Sequence, residues 1–127
     1  MKKNVKQANI NIHLKDLFLK WLQITSTFHS LTKQQSQVLA LLLYYHYKFK
    51  QDITNSKILW KVVFDYDTKD LIKQELNMKD SVFRNILTKL RKLNIIKDNT
   101  ITSAFIPDLS ADSKEFKVIF NFNIINE

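Results

Sequence analysis

Apolar residues in the first third of the chain recur at the spacing of amphipathic helices. A first helix is predicted by five apolar residues at positions i, i+3, i+4, i+7 and i+8, namely Leu14, Leu17, Phe18, Trp21 and Leu22. Thr32 and Gln35 form the capping-box pattern that begins a second helix, over residues 33–49. That second helix is apolar on nearly all sides. It is therefore either the central helix of the core or a helix that packs one face against a second subunit.

Helical spacing continues in the middle of the chain. A short helix over about 56–64 is predicted, with a strand as the alternative because three of its four apolar residues are β-branched: Ile58, Leu59, Val62 and Val63. Asp67 or Thr68 is then expected to cap a helix that runs to about Leu76.

The last predicted helix follows a turn at residues 77–79, begins at Asp80 or Ser81 and ends at Leu93. The core-facing residues of this helix and the one before it are predicted to be Leu71, Leu76, Val82, Ile86, Leu90 and Leu93. The chain has no glycine, so Asn or Asp must fill positions that need a positive φ. Asn94 is accordingly expected to be left-handed just past this helix.

Alternating apolar and polar residues predict short strands at both ends of the chain. The predicted strands are residues 8–13, 94–97, 101–106 and 115–124. Asp98 and Asn99 form the turn between the second and third of these strands. In the last segment the even-numbered residues are apolar, so one face of a small sheet is expected to cover the core.

The order of these elements, two helices, a helix–turn–helix unit and a hairpin, is typical of a winged helix-turn-helix domain. Residues 68–96, TKDLIKQELNMKDSVFRNILTKLRKLNII, carry the resemblance. The chain resembles bacterial regulators of the MarR type over residues 32–124, most strongly over 68–97, although that family usually has glycine where Asn77 and Asn94 stand. The resemblance implies a mostly α-helical fold with a small C-terminal antiparallel sheet. We expect one domain over 1–127, with an N-terminal extension of about 1–30.

If the resemblance holds, the last helix is a recognition helix whose outward residues contact DNA. The candidate contacts are Lys79, Ser81, Phe83, Arg84, Asn85, Thr88, Lys89, Arg91 and Lys92. Arg84 can make a bidentate contact to guanine and Asn85 to adenine, while Ser81 and Thr88 reach bases or phosphates. Lys79 and the basic residues after Thr88 suit phosphates. The alternative for Lys89, Arg91 and Lys92 is a solvated helix end that complements the helix dipole.

Two features depart from the DNA-reading pattern of the family. Phe83, predicted to point outward, stands where a small polar residue is commoner, and its ring suits a thymine methyl or a protein partner. The wing is also acidic: residues 98–127 carry five acids and two lysines, and this hairpin is a poor phosphate contact. The whole chain nevertheless has 20 Lys and Arg against 12 Asp and Glu, a net charge of +8, which suits a polyanionic partner.

The sequence lacks the residues that several kinds of catalytic and ligand-binding site require. Without cysteine or glycine there is no thiolate nucleophile, phosphate-binding P-loop or dinucleotide fingerprint. His13, His29 and His46 lack metal-ligand spacing. Asp65, Asp67 and Asp70 form an acidic cluster, which helix capping by Asp67 and Asp70 explains better than binding of a divalent metal. We expect no enzyme activity, no metal and no cofactor. The chain shows no signal peptide and no membrane-spanning run, so a soluble cytoplasmic protein is expected.

Three functions remain open at this point. The first is a transcriptional regulator that binds double-stranded DNA as a homo-oligomer, with a dimer setting two recognition helices one DNA turn apart. The second is a phage virion or DNA-packaging component, since small terminase subunits use helix-turn-helix domains. The third is a protein–protein adaptor that uses Phe83 and the aromatic helix over 39–49. Abundant Lys, Asn and Ile favour an AT-rich source genome, such as that of a bacteriophage or its host.

Overall fold

Helices and one small hairpin make up the regular structure of residues 5–126, which a computed structural model describes. The helices are α1 (Leu14–Ile24), α2 (Lys33–Lys50), α3 (Ser56–Val63), α4 (Tyr66–Leu76) and α5 (Asp80–Lys92). The strands β1 (Ile96–Lys97) and β2 (Thr100–Ile101) pair antiparallel, and single 3₁₀ turns lie at Ser26–Phe28 and Ser103–Phe105. The predicted mostly α-helical fold with a small C-terminal antiparallel sheet is confirmed.

The second helix is the centre of the core. Val38, Leu39 and Leu42 of α2 are completely buried, and α1, α3, α4 and α5 all pack against this helix. Its predicted capping box is present: the Thr32 hydroxyl accepts from the Gln35 amide at 3.2 Å, and the Gln35 side chain accepts from the Thr32 amide at 3.0 Å. An apolar helix needs partners on several sides, and neighbouring helices of the same chain supply them here.

The start of α4 differs from the prediction. Asp65, rather than Asp67 or Thr68, is the N-cap, and its carboxylate accepts from the Thr68 amide at 2.8 Å. Thr68 lies inside the first turn and is buried, and its hydroxyl donates to the Val62 carbonyl of α3 at 2.8 Å. Thr68 therefore does not cap α4. Its buried hydroxyl needs a hydrogen-bond partner, and the bond to Val62 joins α4 to α3.

Asparagine takes the place of glycine just after the C-terminal ends of α4 and α5. Asn77 (φ 49°) and Asn94 (φ 59°) are left-handed, as predicted for Asn94. After each of them the next amide closes a Schellman motif, from Met78 to the Lys73 carbonyl at 2.9 Å and from Ile95 to the Leu90 carbonyl at 3.0 Å. These bonds satisfy carbonyls at the helix ends that would otherwise lack donors.

The hairpin turn is also built without glycine. Asp98 and Asn99, with φ of 52° and 53°, form the two-residue turn that the sequence predicts. Ile96 lies opposite Ile101 in the hairpin register, and both residues are buried. The hairpin is thereby packed against α5.

The buried face of α5 is rotated from the predicted one. Phe83, Ile86, Leu87 and Leu90 are buried, whereas Leu93 is 44% exposed and Val82 is only half-buried. The two sets share Ile86 and Leu90, and the periodicity alone does not choose between them. The observed set buries a phenyl ring and so removes more apolar surface from water. A similar one-residue error affects α4, where Ile72 is buried and Leu71 is exposed.

Three strand predictions fail. Residues 8–13 and 115–124 are not strands, and β2 ends at Ile101 because a 3₁₀ turn follows at 103–105. In that turn the Phe105 carbonyl accepts from the Trp21 indole at 2.9 Å, which ties the segment to α1. Alternation predicts which residues share a face, but a strand also requires a neighbouring backbone, and neither terminal segment has one here.

The rotation of α5 makes a direct prediction about stability. Leu87→Ala should lower the free energy of unfolding by about 2–5 kcal/mol, because Leu87 is buried and its removal leaves a cavity. Leu93→Ala is the matched control on the same helix and should cost less than about 1 kcal/mol. Urea denaturation measures both values. Equal losses, or a larger loss for Leu93→Ala, would contradict the observed core face.

The left-handed conformation of Asn94 leads to a second prediction about stability. Asn94→Gly should leave stability unchanged or raise it by a few tenths of a kcal/mol, and Asn94→Val should cost about 1–2 kcal/mol, because a β-branched residue is strained at positive φ. Asn85→Val, the same change at an exposed helical position, should have little effect. Thermal unfolding distinguishes the cases, and equal melting temperatures for the two Asn94 variants would rule out the cap.

Candidate nucleic-acid-binding surface

The face of α5 opposite the core carries polar and basic side chains at helical spacing. This face, here called the α5 stripe, consists of Ser81, Arg84, Asn85, Thr88 and Lys92, all exposed. Lys89 and Arg91 are exposed on its flanks, and Lys79 is exposed at the N-cap position. The structure thus brings eight of the nine predicted contact residues to one outer side of the helix and its preceding turn.

Phe83 is the exception, and its predicted outward position is wrong. Its side chain is 1% exposed because it belongs to the apolar face of α5, with the Lys73 ammonium 6.0 Å from the ring centroid. A ring in this position is unavailable to a thymine methyl or to a protein partner. The adaptor function loses one of its two supports.

An ion-pair network lies at the N-terminal end of the α5 stripe. The Asp80 carboxylate lies 2.9 Å from the Lys73 ammonium of α4 and 2.8 Å from Nε of Arg84. The hydrogen bond from Lys73 and the charge of Arg84 lower the pKa of Asp80. The pairing with Arg84 uses Nε, and the Arg84 side chain is 73% exposed. Its Nη groups can therefore donate to a group outside the chain.

Thr88 is exposed, but its hydroxyl hydrogen is already used in a hydrogen bond within α5. Its hydroxyl donates to the Arg84 carbonyl at 3.0 Å, the usual back-bond of a threonine within a helix. The oxygen can still accept a hydrogen bond from outside. Ser81 and Asn85 are exposed at the neighbouring positions of the stripe.

Sequence reasoning missed a groove on another side of the molecule. The groove, about 840 Å³ in volume, lies between α2, α3, the hairpin and the segment that follows it. One wall carries Lys50, Lys57 and Lys61, and the opposite wall carries Asp98 and Asp108. No local sequence pattern predicts this groove, because the residues that line it come from segments far apart in the chain.

His46 lies at this groove as a neutral aromatic group. Its ring stacks on Trp60, with centroids 4.1 Å apart and planes 17° from parallel. Burial, and to a smaller extent the charge of Lys50, lowers the pKa of His46 to about 4. The imidazole is therefore uncharged at neutral pH and packs as a flat ring.

The other candidate polar clusters have structural roles. Nδ1 of His29 accepts from the Leu31 amide at 3.0 Å, so its Nε2 donates to the Leu22 carbonyl at 2.9 Å. Asp70 accepts from Gln74 at 2.8 Å. Within residues 5–126, no group of three or more His, Cys, Asp or Glu side chains is arranged to hold a metal ion. In the same part of the chain, no helix has both the length and the apolar character needed to cross a bilayer.

The environment of His46 predicts a pH dependence of stability. Its pKa is about 4 in the folded protein and near 6.5 when unfolded, so the unfolded state binds more protons between these values. The contribution of the neutral ring is fully present above about pH 6.5 and is lost as the pH falls toward 4. Relative to wild type, His46→Phe should therefore show a smaller fall in melting temperature between pH 7 and pH 5. Parallel curves for the two proteins would contradict the burial of this imidazole.

Comparison of the chain with protein-family models, with curated proteins and with solved structures found no match.

Proposed function

We propose that this protein is a small double-stranded DNA-binding protein with a winged helix-turn-helix domain, in which α5 is the recognition helix. The observation that carries the proposal is the α5 stripe, a continuous exposed row of hydrogen-bonding and basic groups opposite the apolar face of the helix. A short turn joins α4 to α5, and a hairpin follows α5, as in the family that the sequence resembles. On this proposal the protein is a cytoplasmic transcriptional regulator that acts as a homo-oligomer, without catalysis and without a cofactor.

Each exposed residue has a role set by its chemistry. Arg84 presents its Nη groups near the start of α5, where helices enter the major groove, and a guanine edge accepts both of them. Asn85 is adjacent and pairs with adenine, while Ser81 contacts a base or a phosphate. The phosphate contacts are assigned to Lys79, Lys89, Arg91 and Lys92.

The hairpin plays a minor part in this proposal. Its tip is Asp98 and Asn99, and Asp98 faces the groove beside α3. A carboxylate at the tip is repelled by phosphates. Affinity is therefore expected to come from α5 and its preceding turn.

Assembly within a phage virion or a DNA-packaging machine is the second candidate. The apolar residues left exposed toward the C-terminal end, among them Phe122, Ile124 and Ile125, favour this alternative because such surfaces are typical of assembly contacts. Molecular mass in solution separates the two, since a dimer suits an operator-binding regulator and a ring suits a packaging component.

Substitutions on the α5 stripe test the DNA-binding proposal. A binding site is first selected from a random duplex library. Arg84→Ala should then weaken binding to that site by about 1–3 kcal/mol and relax the preference at one base pair. Lys92→Ala should instead weaken binding to all duplexes alike and lower the salt slope by about one. Lys33→Ala, an exposed lysine on α2, is the control and should change neither quantity.

The same binding measurements on the wild-type protein can contradict the DNA-binding proposal. A groove-docked basic helix should hold random duplex at micromolar protein and about 50 mM salt. Wild-type protein that binds neither random nor selected duplex under these conditions is not a DNA-binding protein of this kind.

A further inference from the structure

The C-terminal segment over 116–124 has the pattern of a strand without the partner that a strand needs. Its even-numbered residues are all apolar: Phe116, Val118, Phe120, Phe122 and Ile124. Within the described structure, residues 114–126 take part in no helix, no strand and no backbone–backbone hydrogen bond. An unpaired backbone segment with alternating apolar side chains is a template for pairing with another strand.

The two halves of this segment differ in how they are covered. Phe116 packs edge-on against Trp21 with ring centroids 5.7 Å apart, and Phe120 stacks on Phe28 at 6.2 Å. Beyond that point nothing in the described chain covers the apolar side chains, and Phe122 and Ile124 are 88% and 83% exposed. The segment is thus anchored at its beginning and uncovered at its end.

We propose that a second copy of this chain covers the segment, with residues 116–124 of the two copies paired as antiparallel strands about a two-fold axis through Phe120. In that register Phe122 of one copy lies beside Val118 of the other, and Ile124 lies beside Phe116. The uncovered end of each segment therefore meets the anchored beginning of its counterpart. One isologous contact supplies what both copies lack.

Charge and area favour a second copy as the occupant. Across the same axis Lys117 lies opposite Asn123 and Ile119 opposite Asn121, so no like charges meet. A phenylalanine side chain buries roughly 150–250 Å² when it is fully covered. Phe122 and Ile124 are 88% and 83% exposed in the single chain, and Phe120 is 42% exposed, so two copies bring the uncovered parts of six large side chains to one contact. This burial adds to that of the paired backbones, toward the roughly 1,200 Å² at which specific interfaces begin.

Residues 116–124 share no residue with the α5 stripe. The dimer contact names the surface through which the homo-oligomer of the proposed function would form, and in that respect it rests on that function. Solution mass and cross-linking test this contact, whereas duplex binding tests the α5 stripe. The failure of this contact and the failure of the proposed function are therefore distinguishable.

Solution mass with face-specific variants is the first test. The full chain, 15.1 kDa as a monomer, should have twice that mass by light scattering at about 100 µM. Phe122→Asp and Ile124→Asp should each raise the dimer dissociation constant by about tenfold or more, because a carboxylate replaces a buried apolar contact. Asn123→Asp, the same charge on the other face of the segment, should leave the dimer intact. Both apolar positions are exposed in the single chain, so circular dichroism should show all three variants folded.

Disulfide cross-linking tests the register, since the natural chain has no cysteine. Phe120→Cys should form a covalent dimer under mild oxidation, because each residue 120 faces its counterpart across the axis. Asn123→Cys should cross-link far less. A monomeric wild type, a dimer that survives both Asp variants, or preferential cross-linking of Phe120→Cys to Ile10→Cys in a mixture of the two variants would overturn the proposal. The last result would assign the partner strand to the N-terminal segment.

Discussion

The need to surround α2 with apolar side chains governs the arrangement of the whole chain. A helix with buried residues on most of its circumference is stable in water only when other elements cover it from several directions. In this protein α1, α3, α4 and α5 do so, and the hairpin then packs on α5. The position of α5 is fixed from inside by Phe83, Ile86, Leu87 and Leu90, and its outer face follows from that inner one.

The candidate DNA-binding surface is therefore a consequence of packing. Once the phenyl ring of Phe83 enters the core, Ser81 and Asn85 point outward, since residues about half a helical turn apart lie on opposite faces. Arg84, which lies between these two residues in the sequence, is also on the exposed side of the helix. The pairing of Asp80 with Lys73 ties the start of α5 to α4, and the same carboxylate orients Arg84. These polar groups are thus presented by a helix that packs on the core, and not by a loop.

The absence of glycine shows how the chain meets backbone demands by other means. Asn77, Asn94, Asp98 and Asn99 take the left-handed positions that the turns require, and their short polar side chains make this conformation less costly than it is for other residues. Ser30 (φ 54°) takes a fifth such position, so the prediction that Asn or Asp fills every one of them is wrong here. Ser30 follows His29, whose ring bonds to the backbone on both sides. Local hydrogen bonding there holds the connection between α1 and α2.

Local signals in the sequence were sufficient to predict the helices, the capping box at Thr32, the left-handed Asn94 and the Asp98–Asn99 turn, because each depends on residues within a few positions of one another. Tertiary structure alone decided which of two overlapping faces of α5 is buried, since both satisfy the helical period and the choice depends on how the helix packs against α2 and the hairpin. The same holds for the groove at His46, whose walls come from distant segments. It also holds for the two terminal segments: their alternation defines a face, but a strand exists only where a second backbone supplies its hydrogen bonds.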